Sequence, residues 1–282
     1  MRNYSLTNKW FLTTAIVIVL FFASCSPNNV KIDNSLKQYF DAHNATGSFG
    51  LYENGTGDFI IYNLARYKDS AYSPASTFKI VNSLIGLETG KIINEKMVIP
   101  WDGIVRTFPN GDTAKAWNKD LTMEEAFKAS SVPYYQEVAR RIGKDAMQQW
   151  LDSLKYGNHT IGNEVDRFWL NNTLKITADE QLGLIKKLFF AQLPFQKRTQ
   201  EIVKRVMLQE SNANYQLSYK TGMNTLPNGK SMGWIVGWIE ENKHPYFFVL
   251  NVETASKEPM QDIRMDILNK ILKQQGFLEG KR

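Results

Sequence analysis

Cysteine is almost missing from this chain: Cys25 is the only one in 282 residues, so no internal disulfide can form. Histidine is scarce too. His43, His159 and His244 are the full set, and none stands in an H-x-H or H-E-x-x-H pair, so no metal is expected. No serine sits in a G-x-S-x-G elbow, which argues against an α/β-hydrolase. His159, in a Tyr-Gly-Asn-His turn, reads as a surface residue before a catalytic one. Internal repeats, low-complexity tracts and long charge blocks are absent as well. Nor is there a large excess of one charge: 34 Lys and Arg against 28 Asp and Glu give +6. Setting aside Arg2 and Lys9 lowers this to +4, scattered along the chain, which is not the clustered footprint of a nucleic-acid binder.

What remains is ordinary globular composition, 43% hydrophobic and 22% charged, with length for one large domain or two intimate ones. The N-terminus stands apart. Arg2 and Lys9 precede an apolar run from Phe11 to Phe22, then Ala23-Ser24-Cys25-Ser26-Pro27. A basic n-region, a short apolar run and small residues make an export signal, too short for a comfortable membrane span. The segment resembles a bacterial lipoprotein signal, with Phe22 where that pattern usually has leucine. Such a resemblance implies removal of residues 1–24, lipidation of Cys25 and a membrane-anchored periplasmic protein of a Gram-negative bacterium. An ordinary signal peptide cut nearby is the alternative. Residues 25–44 then read as a tether and first helix, and 45–282 as a single catalytic unit. Its sheet part spans about 45–100 and 194–282, its helical part about 101–193.

Phe49 to Tyr52 and Phe59 to Tyr62, joined through Gly55 and Gly57, predict a β-hairpin. Ser73-Pro74-Ala75-Ser76 predicts a helix start with Ser73 as N-cap and Pro74 as first helical residue. Ile80, Leu84 and Leu87 continue one apolar face and Gly90 ends it. Further helices are expected over 122–128, 134–142, 144–154 and 178–190. Strands are expected over 215–221, 232–239 and 246–253, with turns at Pro227-Asn228-Gly229 and Asn242 to Pro245. Ile263, Ile267 and Ile271 mark a last helix over 261–273. The expected class is α/β in the α+β sense: an antiparallel sheet flanked by helices, with a mostly helical subdomain.

Three short motifs each occur once: Ser76-x-x-Lys79, Ser130-x-Val132 and Lys220-Thr221-Gly222. Residues three apart on a helix share a face, so Ser76 Oγ and Lys79 Nζ can meet. Near a helix start the backbone N–H of Ser76 lacks an intrahelical acceptor and can serve an oxyanion. Serine needs a base, and lysine is one only when neutral. Lowering its pKa from about 10.4 to near 7 takes about 4 kcal/mol of desolvation. Taken singly, each motif also fits plain structure: an exposed lysine on an amphipathic helix, a tryptophan in the core, a Tyr-Gly-Asn turn, a solvated arginine. Order and spacing together favour chemistry.

Together with Tyr156-Gly157-Asn158, Phe168-Trp169-Leu170, Trp101-Asp102-Gly103 and Gly233-Trp234, these motifs resemble the class D serine β-lactamases, the oxacillinase family. The resemblance covers nearly all of the mature chain and implies the penicillin-recognising serine hydrolase fold. It implies Ser76 as nucleophile and Lys79, carbamylated by carbon dioxide, as general base; no other cofactor is expected. Ser130 would relay a proton to the leaving nitrogen. Lys220, Thr221 and Arg264 would recognise the carboxylate of a β-lactam, with Gly222 leaving room for it along the strand. Val132, Phe78 and Trp169 would form the dry pocket around Lys79, and Met223 N–H the second oxyanion donor. Met223 stands where the family often has an aromatic residue, which bears on substrate spectrum. A slowly deacylating β-lactam sensor and a DD-peptidase share these motifs and remain alternatives. Oligomeric state and the choice among penicillins, cephalosporins and carbapenems are not encoded in them.

Overall fold

The computed structural model of the chain describes residues 29–108 and 111–282. The expected export segment and Cys25 lie outside them. In chain order the elements are β1 (Val30–Ile32), α1 (Lys37–Asp41), β2 (Ala45–Glu53), β3 (Phe59–Tyr62), α2 (Leu64–Asp69) and a 3-10 turn (Ala75–Phe78) leading directly into α3 (Lys79–Glu88). The short strands β4 (Val98–Ile99) and β5 (Leu121–Thr122) pair with each other. Then come α4 (Met123–Lys128), α5 (Val132–Ile142), α6 (Lys144–Leu154), α7 (Ala178–Phe189) and α8 (Lys197–Met207). The chain ends with β6 (Leu208–Ser211), β7 (Gln216–Thr225), β8 (Ser231–Glu241), β9 (His244–Thr254) and α9 (Met260–Gln274).

A seven-stranded sheet in the order β1-β3-β2-β9-β8-β7-β6 is the centre of the molecule. The N-terminal hairpin has the expected register, Tyr52 opposite Phe59 and Phe49 opposite Tyr62. It joins the C-terminal meander through β2 and β9, where Phe49 faces Leu250. Both faces are buried, and alternation along β9 shows how. Phe247 and Val249 pack towards the helical side, while Phe248, Leu250 and Val252 pack towards α1 and α9. A strand covered on both faces reads as a continuous apolar run, which is what Tyr246 to Leu250 presents. The mixed α and β architecture with a helix-flanked sheet is therefore the one expected.

Three details differ from expectation. The segment before residue 45 is more than a tether, because β1 pairs in parallel with β3 at the sheet edge. Helix α8, inside the stretch assigned to the sheet part, buries Ile202, Val203 and Val206 in the same core as α3 and α5. At the start of α3 the side chain of Ser73 does not cap the helix. Its hydroxyl donates to Trp169 O at 2.6 Å and meets Ala75 N only at 3.4 Å, while Ala75 adopts a left-handed φ of 49°. A 3-10 turn follows, with Pro74 in the capping position. Helix α3 is not amphipathic in its setting either, since Lys79 to Gly86 are all buried. It runs through the middle of the helical part, packed by α5 and α8, and only its end at Leu87 and Glu88 is partly exposed.

Candidate active site

The site lies where the 3-10 turn, the α4–α5 junction and β7 converge. Strand β6 pairs with β7 only between Gln216 and Ser218, with a bulge between Leu208 and Glu210. Beyond Ser218 the outer edge of β7 has no strand beside it among the described residues, and Lys220-Thr221-Gly222 lies against the turn that carries Ser76 instead. A Cβ on Gly222 would stand 2.8 Å from Pro74 O and 3.3 Å from Ser76 N. The glycine thus lets strand and turn approach closely, a tighter constraint than leaving room for a ligand.

Ser76 is half-buried and Lys79, one turn on, is wholly enclosed. Lys79 Nζ donates to Ser76 Oγ at 2.7 Å, the contact that the spacing of three predicts. Burial alone pushes the Lys79 ammonium down to about 7. A neutral amine is then well populated at neutral pH, which a lysine base requires. The aromatic ring of Tyr135 lies 5.6 Å from Nζ. Tyr135 itself is pinned to α3 by Asn82 Nδ2 on its carbonyl at 3.0 Å and by Ser83 Oγ on its hydroxyl at 2.8 Å.

Ser130 occupies the tight passage from α4 into α5. Its φ is 51°, a strained value for a residue with a Cβ, and Ser131 behind it caps α5 through Tyr134 N. The passage is also held from outside by Trp117, whose indole N–H donates to Ala129 O at 2.9 Å. Lys220 Nζ crosses from β7 to donate to Ser130 Oγ at 2.9 Å and to Thr221 O at 3.0 Å. Its pKa is pushed far below the ordinary lysine value, first by burial, then by the charges of Lys79 and Arg264. Val132, half-buried, opens α5 beside this pair.

Strand period places Lys220 opposite Val236, whose side chain joins the helical-side core, and Thr221 opposite Ile235, which packs on the α9 side. Met223 pairs with Gly233 and is 55% exposed. Arg264 is not the solvated residue that a lone arginine would suggest. It is buried under β7 and β8, its Nη1 donates to Gly222 O at 2.7 Å, and burial lowers its pKa to about 10. Its Nε has no hydrogen-bond partner among the described residues.

Trp169 is fully buried, stacked on Phe78 with centroids 5.2 Å apart, and edge-on to Phe168. Its indole Nε1 is a buried donor with no partner among the described residues. The loop that carries it is fastened by Tyr156-Gly157-Asn158. Asn158 N donates to Lys175 O at 3.0 Å, Asn158 Nδ2 to Thr173 O at 3.0 Å, and Lys175 N returns a bond to Asn158 Oδ1 at 3.0 Å. Gly157 has φ 55° and a Cβ there would lie 2.0 Å from Lys175 O. That motif is a clamp, and Tyr156 adds an edge-on ring to Phe78.

The structure thus brings Ser76, Lys79, Ser130 and Lys220 into two hydrogen-bonded pairs, with Arg264 beneath the strand and Trp169 behind Phe78. Sequence reasoning read Ser73 only as a helix cap and missed Asn82, Trp117, Tyr135 and Gln181; the last donates to Thr77 Oγ1 at 2.9 Å inside the turn that carries Ser76. None carried a signal beyond being polar or aromatic in a helical or loop setting. The histidines take no part: His43 bridges Glu258 and Asp266, and His159 lies 3.3 Å from Asp152. Among the described residues no group of three or more His, Cys, Asp or Glu side chains could hold a metal ion.

The penicillin binding protein transpeptidase domain family matches residues 37–273. Beta-lactamase OXA-5 of Pseudomonas aeruginosa is 35% identical over 269 residues, which cover 94% of this chain and 98% of that protein. Among solved structures, the class D β-lactamase YbXI from Nostoc is similar with a TM-score of 0.80 at 36% identity, covering 87% of this chain and 100% of its own. The C-terminal domain of the Bacillus licheniformis BlaR penicillin-receptor reaches a TM-score of 0.81 at 28% identity, covering 89% and 98%. Length, motif order and the two lysine–serine pairs agree with these likenesses, and the chain belongs to the class D β-lactamases of the penicillin-binding transpeptidase family.

Proposed function

We propose that this chain hydrolyses β-lactams through an acyl-enzyme on Ser76. The observation that carries the reading is the 2.7 Å contact between Ser76 Oγ and a buried Lys79 whose amine titrates at about 7. Ser76 Oγ attacks the ring carbonyl as its proton passes to the base on Lys79. The carbon–nitrogen bond of the ring then breaks, and Ser130 hands a proton to the leaving nitrogen. Lys220, hydrogen-bonded to Ser130, can replenish that proton. The backbone N–H groups of Ser76 and Met223 would hold the oxyanion. The substrate carboxylate would be recognised by Lys220 and Thr221 of β7, with the guanidinium of Arg264 beneath the strand adding its charge. Water then releases the acid and restores Ser76.

The base is proposed to be the carbamate of Lys79, formed when the neutral amine adds to carbon dioxide and loses a proton to solvent. Two features suit such an anion. The amine is desolvated enough to be neutral, and the buried Trp169 N–H is a donor in want of an acceptor. The likeness to a penicillin receptor favours a second reading, in which acylation is fast and release slow. Mass spectrometry of the protein mixed with penicillin separates the two. A hydrolase shows an adduct that vanishes within seconds as product accumulates; an adduct that outlasts the penicillin for hours would mean a sensor.

Export, lipidation of Cys25 and anchoring at a membrane on the periplasmic side of a Gram-negative cell are part of the same proposal. There the enzyme would intercept antibiotics and confer resistance. A diacyl anchor with an amide-linked third chain would supply ample apolar surface for stable attachment. Cells fed labelled palmitate are expected to label the wild type and not Cys25→Ser. Equal label in both, or equal recovery of both from the soluble periplasm, would remove the anchor.

A further inference from the structure

Ser73 has no part in the chemistry so far, yet it is fully buried and joins three parts of the site. Its hydroxyl donates to Trp169 O at 2.6 Å, and its carbonyl accepts the indole N–H of Trp234 from β8 at 2.9 Å. It lies three residues before Ser76 and next to Pro74, whose carbonyl takes the Thr77 hydroxyl at 2.7 Å. Among the described residues Ser73 Oγ is the one hydrogen-bond donor to Trp169 O. The clamp at Asn158 and Lys175 holds the far end of the Trp169 loop, and Phe78 holds the ring by stacking. Tyr72 and Ile176 exchange backbone bonds of 3.0 and 2.8 Å where the loop ends, and the Ser73 hydroxyl is the tie between this segment and the loop's backbone at Trp169 itself.

We propose that Ser73 is a positioning residue that sets the readiness of Lys79 to carry its carbamate, acting through the Trp169 backbone. The inference rests on the Lys79 reading given above. With Ser73 in place, the Trp169 indole is held stacked on Phe78, the residue preceding Lys79, with its N–H buried and free to donate. Without it, Trp169 O becomes a buried acceptor with no donor, and the loop shifts to find one. The indole then spends part of its time away from its fixed position, and an anion on Lys79 loses a prepaid hydrogen bond. Acylation depends on Ser76 and its own turn, so the loss falls on the bicarbonate requirement before it falls on the maximal rate.

The test is nuclear magnetic resonance of the full-length protein titrated with 13C-bicarbonate, read as the carbamate carbon signal, alongside turnover at saturating bicarbonate. Ser73→Ala is expected to need about tenfold more bicarbonate for half-maximal signal, the scale of one lost buried hydrogen bond. Its turnover at saturation should stay within about threefold of wild type. Ser73→Cys, a poor donor of nearly the same shape, should shift in the same direction and serves if the alanine variant fails to fold. In a Trp169→Phe background, Ser73→Ala should add nothing to the shift, because both act through the indole. Additive shifts would mean that Ser73 supports the fold in general and would overturn the proposal. So would a wild-type midpoint in both Ser73 variants. Absence of any carbamate signal in the wild type would instead sink the Lys79 reading, and this inference with it.

Discussion

Ser76→Ala is expected to lose all measurable penicillin hydrolysis and all covalent labelling, a fall of at least about 10⁴-fold, while keeping the fold. The size follows from the chemistry. Among the described residues Ser76 is the serine that accepts from Lys79, the amine that burial brings down to about 7. Ser130 also receives a lysine, but its Oγ faces Lys220, which sits behind it as donor, and the adjoining backbone is strained. The fold should survive because Ser76 is only half-buried and contributes no apolar surface to either core. What changes is local: Lys79 Nζ loses its acceptor in a fully enclosed place. An unsatisfied buried polar group costs about 1–3 kcal/mol, so the melting temperature should move by a few degrees and no more. Intact-mass measurement after incubation with penicillin checks the prediction. A variant that still gained one acyl mass would show that another residue is the nucleophile.

The hydrogen-bonded pairs of this site were legible in the sequence because each lies in a motif whose spacing has a geometric meaning. Ser76 and Lys79 had to meet if the segment was helical, and Lys220 had to lie in a strand because Tyr215 to Thr221 is rich in strand-forming residues. The sheet was legible for a similar reason: β8 and β9 are long apolar runs, each buried on both faces. Arg264 could be placed only by resemblance, since nothing local separates a buried arginine from a solvated one. Helix α8 was missed although Thr199, Val203 and Ile202, Val206 repeat at helical spacing. Its many charges mask that stripe. Edge strand β1 was missed because its residues are exposed and its partner among the described residues, β3, is distant in sequence. The start of α3 misled for a physical reason. Ser-Pro favours an N-cap locally, but the Ser73 hydroxyl has a better acceptor in Trp169 O, a contact 96 residues away. Tertiary partners of that kind leave no periodic trace.

Activity is expected to fall steeply below pH 7 in buffer freed of carbon dioxide and to return with added bicarbonate at fixed pH. The direction follows from Lys79, lowered by burial from 10.5 to about 7. Between those two values the unfolded chain holds a proton on this lysine and the folded chain does not, so its contribution to stability rises with pH across that window. Below about 7 the folded amine is protonated as well, and an ammonium cannot add to carbon dioxide. The enclosed ammonium is disfavoured by about 5 kcal/mol relative to water. That cost is what makes the amine reactive, and it falls on folding. Lys79→Met, which keeps most of the volume without the charge, is therefore expected to unfold at a higher temperature than wild type in carbon-dioxide-free buffer. The margin should be greatest at pH 7 and below and should shrink as pH approaches 10. Hydrolysis in the same variant should fall by about 10³-fold or more, the usual worth of a general base, with release of the acyl group slowed more than its formation. Acid inactivation that bicarbonate leaves unchanged would show that the base is not a carbamate, and wild-type turnover by Lys79→Met would show that Lys79 is not the base at all.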